Sequence, residues 1–418
     1  MTSLELTLLY LLAAVLGVVV CRFLRLPAML GYLAVGVVIG PNAMALAQDS
    51  DGVRHLGEFG VVFLMFVIGL EFNLAKLRAM RRHVFGLGLS QVLLTVLPAT
   101  LGTLLLASWL PREWNLTWQA ALALSGALAM SSTAIVVKLM SERLELESEH
   151  GKRVMGVLLF QDLAVVPLLV IIPALDSPPD VLLREVGIAA AKAAVLIALL
   201  LAGGQKLMRW WLTLVARRKS DELFVLNILM VTLGLAWLTE LAGLSLALGA
   251  FIAGILISET EYKHQVEADI RPFHDVLLGL FFITIGMLLD WRPVAEHLGL
   301  VLVLVTLPVL FKLLLVTALA RVFGASAGVS LRTGLYLAQA GEFGFVLLAL
   351  AQQNALVPPA LLNPILASMV ISMLATPFII QWSNALVMKL VASEWLLQSL
   401  QMTTIARKSI NANKHVII

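Results

Sequence analysis

Residues 158–170 read LLFQDLAVVPLLV, an apolar run with Gln161 and Asp162 at its centre and no other polar side chain near them. Such a run has the composition of a membrane-spanning helix, and an ionisable group at mid-span costs about 2.5–3.5 kcal/mol on insertion scales. A carboxylate kept there is by default functional, facing a bundle interior or a water-filled cavity. Asp162 fits that description better than any other acid in the chain, and it can exchange a proton for a cation when the cavity is wet. Gln161 can ligate the ion through its carbonyl or hydrogen-bond a neighbouring helix, and the sequence favours neither.

Outward from this stretch, the 418 residues are 60% hydrophobic and 13% charged, against about 45–50% and about 25% in soluble domains. That excludes an ordinary soluble enzyme. The net charge is +3, but the basic residues fall in short clusters between apolar runs, the pattern of cytoplasmic loops rather than of a nucleic-acid surface. The single cysteine, Cys21, allows no internal disulfide and no thiolate metal cluster. The first apolar run has no basic residue ahead of it and no small-residue cleavage pattern, so it reads as a retained span.

Spans of about 20 apolar residues, shorter where a helix is broken, are expected near 4–21, 27–41, 54–71, 83–109, 117–140, 153–174, 185–212, 221–241, 244–258, 273–290, 296–322, 330–352 and 359–390. Alternate connections are rich in Lys and Arg, which predicts an outside N-terminus and a cytoplasmic C-terminus in a cell membrane. Residues 1–390 then form a transmembrane domain, 391–414 a polar linker, and 415–418, HVII, the start of a strand.

Two stretches read as interrupted helices. ALSGALAMSSTAIVVKLMSE places Ser131, Ser132 and Thr133 at mid-span, and LYLAQAGEFGFVLLAL places Gln339, Gly341, Glu342 and Gly344 there. Discontinuous helices at corresponding positions of two halves point to a transport site. With span seven as a linker, each is fifth in a half of six. Lys312 is the second mid-span charge, with Asp162 or the C-terminal end of a broken helix as its expected partner. Glu71, Glu240 and Asp290 lie where spans end, and solvation accounts for them. His264, His274 and His297 have no helical spacing that would make a metal site.

The segments FQDLAVVPLL, SSTAIVVKLMSE, QAGEFGFVLL and 238–287 together resemble the Kef-type glutathione-regulated potassium-efflux systems of the monovalent cation:proton antiporter-2 family. The resemblance implies an all-α polytopic membrane protein of about thirteen helices with the sodium/proton-antiporter-like fold, two inverted repeats and two crossed discontinuous helices, acting as a homodimer in a bacterial inner membrane. It implies exchange of K+ for H+ at Asp162, with Gln161, Ser131, Ser132, Thr133, Gln339, Glu342 and Lys312 as its company. Na+/H+ exchange in the same fold and a ligand-gated K+ channel are the alternatives. It also implies a cytoplasmic regulatory domain that carries the nucleotide and glutathione sites, outside this stretch of chain, and that contacts a loop containing His264, Glu267 and Asp269. That loop departs from the familiar version at Gln265 and Val266. Neither an enzyme activity nor nucleic-acid binding is expected.

Overall fold

The structure is a computed structural model that describes residues 3–24, 28–41, 43–45, 51–71, 78–107, 116–175, 182–199, 203–296 and 298–391. The described residues are helical, with no strand among them. The helices are α1 (Ser3–Phe23), α2 (Ala28–Ile39), α3 (Asp51–Glu71) and α4, which is a π-helical turn Arg82–Gly88 running into Leu89–Ala107. Then come α5 (Trp118–Ala129), α6 (Thr133–Glu142), α7 (Glu149–Ala174), α8 (Leu182–Leu199), α9 (Gln205–Ala216) and α10 (Asp221–Leu241). After them follow α11 (Leu246–Ser258), α12 (Lys263–Leu288), the short α13 (Trp291–Glu296), α14 (Leu298–Val322), α15 (Ala327–Leu337), α16 (Glu342–Gln353) and α17 (Pro359–Leu390).

Among the described residues each predicted span coincides with a helix or a helix pair, with two differences. Within the expected span 185–212 the described residues are helical, α8 to Leu199 and then a π-helical turn at Gly203 and Gly204 that runs into α9, and residues 200–202 lie outside the described residues. The acidic stretch expected as a loop at 264–270 is the first part of α12, which begins at Lys263 and carries Pro272 within it. Among the described residues six helices are long and apolar enough to cross a membrane, seven if the pair α15 and α16, bent by 43°, counts as one span, with five shorter apolar helices beside them, so the expected count of thirteen is not reached by length alone. The linker expected at 391–414 and the strand at 415–418 lie outside the described residues.

Two bundles form. In one, α2 and α3 pack on α12, α11 packs on α3 and α10, and α1 lies against α2. In the other, α4 packs on α5 and α7, α16 packs on α5 and α7, and α15 packs on α14 and α17. The outward faces are apolar, as on α14 where Leu302, Leu307, Leu310 and Leu314 are exposed, because lipid rather than water surrounds them. Small residues set the closest approaches inside: a Cβ added at Gly254 would stand 2.1 Å from the Phe66 carbonyl oxygen and 2.6 Å from the Leu70 nitrogen.

Gly254→Ala therefore forces α3 and α11 apart, and the thermal melt of the purified protein in detergent should fall by the equivalent of about 1–3 kcal/mol. Gly102, which has open space around it, is the control: Gly102→Ala removes a helix-interior glycine and should be neutral or stabilising by up to about 1 kcal/mol.

Candidate functional site

The site is built on two helix breaks. Helix α5 stops at Met130, and α6 starts behind Ser132, whose Oγ accepts the Ile135 N–H at 3.2 Å. Helix α15 stops at Ala338, and α16 starts behind Gly341. Each break leaves carbonyls without helical partners on one side and N–H groups without them on the other. The breaks touch backbone to backbone, since a Cβ at Gly341 would lie 2.4 Å from the Ser131 carbonyl carbon and 2.5 Å from its oxygen. A side chain there would push the two breaks apart.

The negative ends are met by one cation. Lys312, 2% exposed, donates to Met130 O at 2.9 Å, to Gln339 O at 2.8 Å and to Ser131 Oγ at 3.0 Å. An ammonium has three donors, so none is left for Asp162. Of the two partners the sequence allowed, Lys312 takes the broken-helix ends. On the positive side, Glu342 Oε1 accepts the Ala134 N–H at 3.2 Å in the first turn of α6, where a helix favours negative charge.

Asp162 sits nine residues past Arg153 on α7, and Thr133 Oγ1 donates to its Oδ1 at 3.3 Å. Gln161, fully buried, faces the other way: its Oε1 accepts the Ser131 N–H at 2.7 Å and its Nε2 donates to Gln91 Oε1 at 2.8 Å. In this geometry Gln161 braces the break. Ser131 Oγ donates to Leu337 O at 2.8 Å, so Ser131 and Ser132 hold the breaks together while Thr133 holds the carboxylate.

Gln91 is the residue sequence reasoning passed over, although the signal was available: it is the one amide side chain in the mostly apolar run LSQVLLTVLP, as Gln161 is in its own run. Its Nε2 donates to Ala129 O at 3.2 Å and to Thr95 Oγ1 at 3.1 Å. It also reveals a repeat. In the first half, α4 ties the end of α5 through Gln91 and α7 ties the amide of the break through Gln161. In the second, α14 ties the end of α15 through Lys312, and α17 ties the break through Ser372 Oγ, which accepts the Ala340 N–H at 3.2 Å.

Between the two bundles lies a cavity of about 750 Å3. Thr133, Asp162 and Glu342 line it from one bundle, and Leu64, Glu71 and Phe282 from the other. Glu71, which the sequence assigned to solvent at a span end, is thus part of the wall. Gln339 is not part of it: its side chain is 1% exposed, and neither amide atom has a partner among the described residues. His264 and Glu267 stand on the wall through the first turns of α12, with His264 Nδ1 3.7 Å from Glu267 Oε2. Asp269 is half-buried on the same turns, and burial together with the nearby Asp221 pushes its carboxyl above the usual range, partly offset by a hydrogen bond from Gln265.

The chain is similar to known proteins. The profile of the family described as "Sodium/hydrogen exchanger, transmembrane" matches residues 9–383. K(+) efflux antiporter 1, chloroplastic, of Arabidopsis thaliana is 40% identical over 357 residues, which are 84% of this chain and 29% of that protein. K(+) efflux antiporter 2, chloroplastic, of the same plant is 38% identical over 397 residues, 93% of this chain and 33% of that protein. The chain thus spans about a third of the length of these curated relatives. Among solved structures, the sodium proton antiporter MjNhaP1 from Methanocaldococcus jannaschii at pH 8 superposes with a TM-score of 0.66 at 16% identity, covering 92% of this chain and 97% of that one. That likeness establishes the fold.

Because Lys312 serves the helix ends and not Asp162, replacing it by Met orphans two buried carbonyls and should lower stability by about 2–4 kcal/mol. In thermal melts, Asp162→Asn should cost the same in the Lys312→Met background as in the wild type, to within about 0.5 kcal/mol. A coupling energy well above about 1 kcal/mol would instead mean that the two side chains pair.

Proposed function

The chain belongs to the sodium/hydrogen exchanger family, and from that premise we propose that it exchanges a monovalent cation, K+ in our reading, for a proton by alternating access at Asp162. The observation that carries this is the position of Asp162: a carboxylate in the wall of a cavity between two bundles, beside the crossing of two broken helices. Deprotonated, it offers its oxygens to a cation, with Thr133 and the free oxygen of Glu342 nearby. Protonated, it is neutral and can cross the membrane's dielectric without one. Rocking of the two bundles against each other then presents the same carboxylate to either side.

The curated relatives are named as K(+) efflux antiporters, which supports K+ as the cargo. Lys312 supports a one-for-one, electroneutral exchange, because all three of its donors hold structural carbonyl and hydroxyl oxygens and its charge stays where it is. The basic clusters support a cytoplasmic mouth for the cavity, since Lys138 and Lys263 line it. We read the protein as a homodimer in a bacterial inner membrane. A regulatory domain binding nucleotide and glutathione would meet it at His264, Glu267 and Asp269, on the mouth where α12 begins.

The test is cation-driven proton flux in proteoliposomes loaded with a pH dye. Asp162→Asn should abolish it, and flux equal to that of the wild type would sink the assignment. Clamping the membrane potential should leave the wild-type rate unchanged, and a voltage-dependent rate would contradict electroneutrality.

A cation that binds the folded state also stabilises it by mass action. Melting across lithium, sodium, potassium and rubidium salts should peak at the cargo ion. The sign with pH follows from competition for one carboxylate: protons displace the cation, so its stabilising effect should shrink as pH falls. An effect that grows on acidification would place the ion elsewhere.

A further inference from the structure

We propose that Gln91 is a positioning residue for the exchange site: acting through Gln161, it holds Asp162 and Thr133 in register and so sets the affinity for the transported cation. The inference rests on the exchange reading above and deepens it.

The two glutamines form a closed relay across the first break. Its ends are backbone groups that the end of α5 leaves without helical partners, the carbonyl of Ala129 and the N–H of Ser131. Gln91 Nε2 donates to Ala129 O at 3.2 Å, Gln91 Oε1 accepts from Gln161 Nε2 at 2.8 Å, and Gln161 Oε1 accepts the Ser131 N–H at 2.7 Å. A carbonyl only accepts and a backbone N–H only donates, so the two ends together dictate which way round both side-chain amides lie. The second N–H of each amide is used as well: Gln91 Nε2 also donates to Thr95 Oγ1 at 3.1 Å, and Gln161 Nε2 to Ser131 Oγ at 3.3 Å. Both glutamines are fully buried, where a flipped amide would set donor against donor at Ser131 with no water to relieve it.

The relay also fixes the rotation of α7. A Cβ at Gly88, one turn before Gln91, would lie 2.5 Å from Phe160 Cβ, so α4 and α7 approach closely just where the two amides meet. Asp162 follows Gln161 about 100° further round the helix. Gln161 turned toward α4 therefore leaves Asp162 turned toward the cavity, where Thr133, two residues past the anchored Ser131, donates to its Oδ1 at 3.3 Å. Without the Gln91 amide, Gln161 keeps its anchor on Ser131 and loses the one on α4, and both the break and the rotation of α7 loosen. A site that is less preorganised binds its ion less tightly.

Helices α4, α5 and α7 all belong to the bundle of broken helices, so the relay travels with the site through both orientations. Gln91 therefore acts equally on the two faces of the membrane. A residue that biased the rocking equilibrium would instead raise the apparent affinity at one face and lower it at the other.

In proteoliposomes of known orientation, Gln91→Met should raise the cation KM, measured with KCl and with NaCl, about fivefold at both faces, the equivalent of one buried hydrogen bond, and leave the maximal rate within about twofold. The KCl concentration that gives half of the ion's thermal stabilisation of the purified protein should rise by the same factor, a readout that needs no transport. Thr95→Val separates position from stability: it removes a hydrogen bond from Gln91 but leaves the relay intact, so the melting temperature should fall while KM stays within about twofold. Gln91→Asn, which keeps an amide one methylene shorter, serves if the methionine variant does not fold and should raise KM likewise. An unaltered KM in the Gln91 variants, opposite changes at the two faces, or an equal rise in Thr95→Val would overturn the proposal. Asp162→Asn run beside them separates the two ideas: transport that survives it defeats the exchange reading, whereas an unaltered KM in Gln91→Met beside an inactive Asp162→Asn defeats this inference alone.

Discussion

A helix that breaks inside a bilayer exposes polar ends that lipid cannot satisfy, and the rest of this structure answers that constraint. Each unsatisfied backbone group in hydrocarbon costs several kcal/mol, and two crossed breaks expose them in pairs. Here the two carbonyl-bearing ends meet at a single ammonium, Lys312, while the N–H-bearing start of α6 meets the carboxylate of Glu342. One buried lysine thus ties together α5, α14 and α15, three helices distant in sequence. The neutral side chains Gln91, Gln161, Ser131 and Ser372 take up what the two charges do not.

The same constraint divides the molecule. The bundle that holds the breaks has to be rigid, since a shift of about an ångström would lengthen several hydrogen bonds beyond their useful range. The other bundle has no such crossed pair of breaks among the described residues and is joined by close backbone contacts, as at Gly254 against Phe66. Between the two there is mostly cavity, with direct packing of α7 on α11 and of α17 on α2. Two bodies that are each internally tied and only lightly joined to each other can move as units, which is the condition alternating access sets.

Much of this was legible in the sequence, because a membrane makes polar residues conspicuous. Asp162, Lys312, Glu342 and the SSTA and QAGEFG breaks were found as interruptions in apolar runs, and the helices fall where the runs fall. What the sequence could not supply was direction. Whether Gln161 faces an ion or a neighbouring helix depends on the rotation of α7 against α4, and no periodicity encodes that. Whether Lys312 reaches Asp162 or the helix ends depends on the crossing geometry, which is set by contacts between residues some 180 positions apart. Gln91 carried the same signal as Gln161 but lacked an adjacent charge to draw attention to it. Glu71 is exposed, as the end of a span suggests, and the sequence could not show that the end of α3 also borders the cavity.

The charges of the site therefore fall into two kinds, and the distinction comes from hydrogen bonding rather than from residue type. Lys312 is saturated, with every donor committed to backbone or hydroxyl oxygen, so neutralising it would undo the structure that positions the breaks. Asp162 accepts a hydrogen bond from Thr133 and lies on the wall of the cavity. Its charge can change without dismantling either helix crossing. Glu342 lies between these extremes, with one oxygen fixed on α6 and the other facing no partner among the described residues. A carrier needs a fixed frame and a variable charge close together but not on the same group. The separation of Lys312 from Asp162 suits the exchange we propose, because the lysine holds the scaffold while Asp162 is left to the cavity.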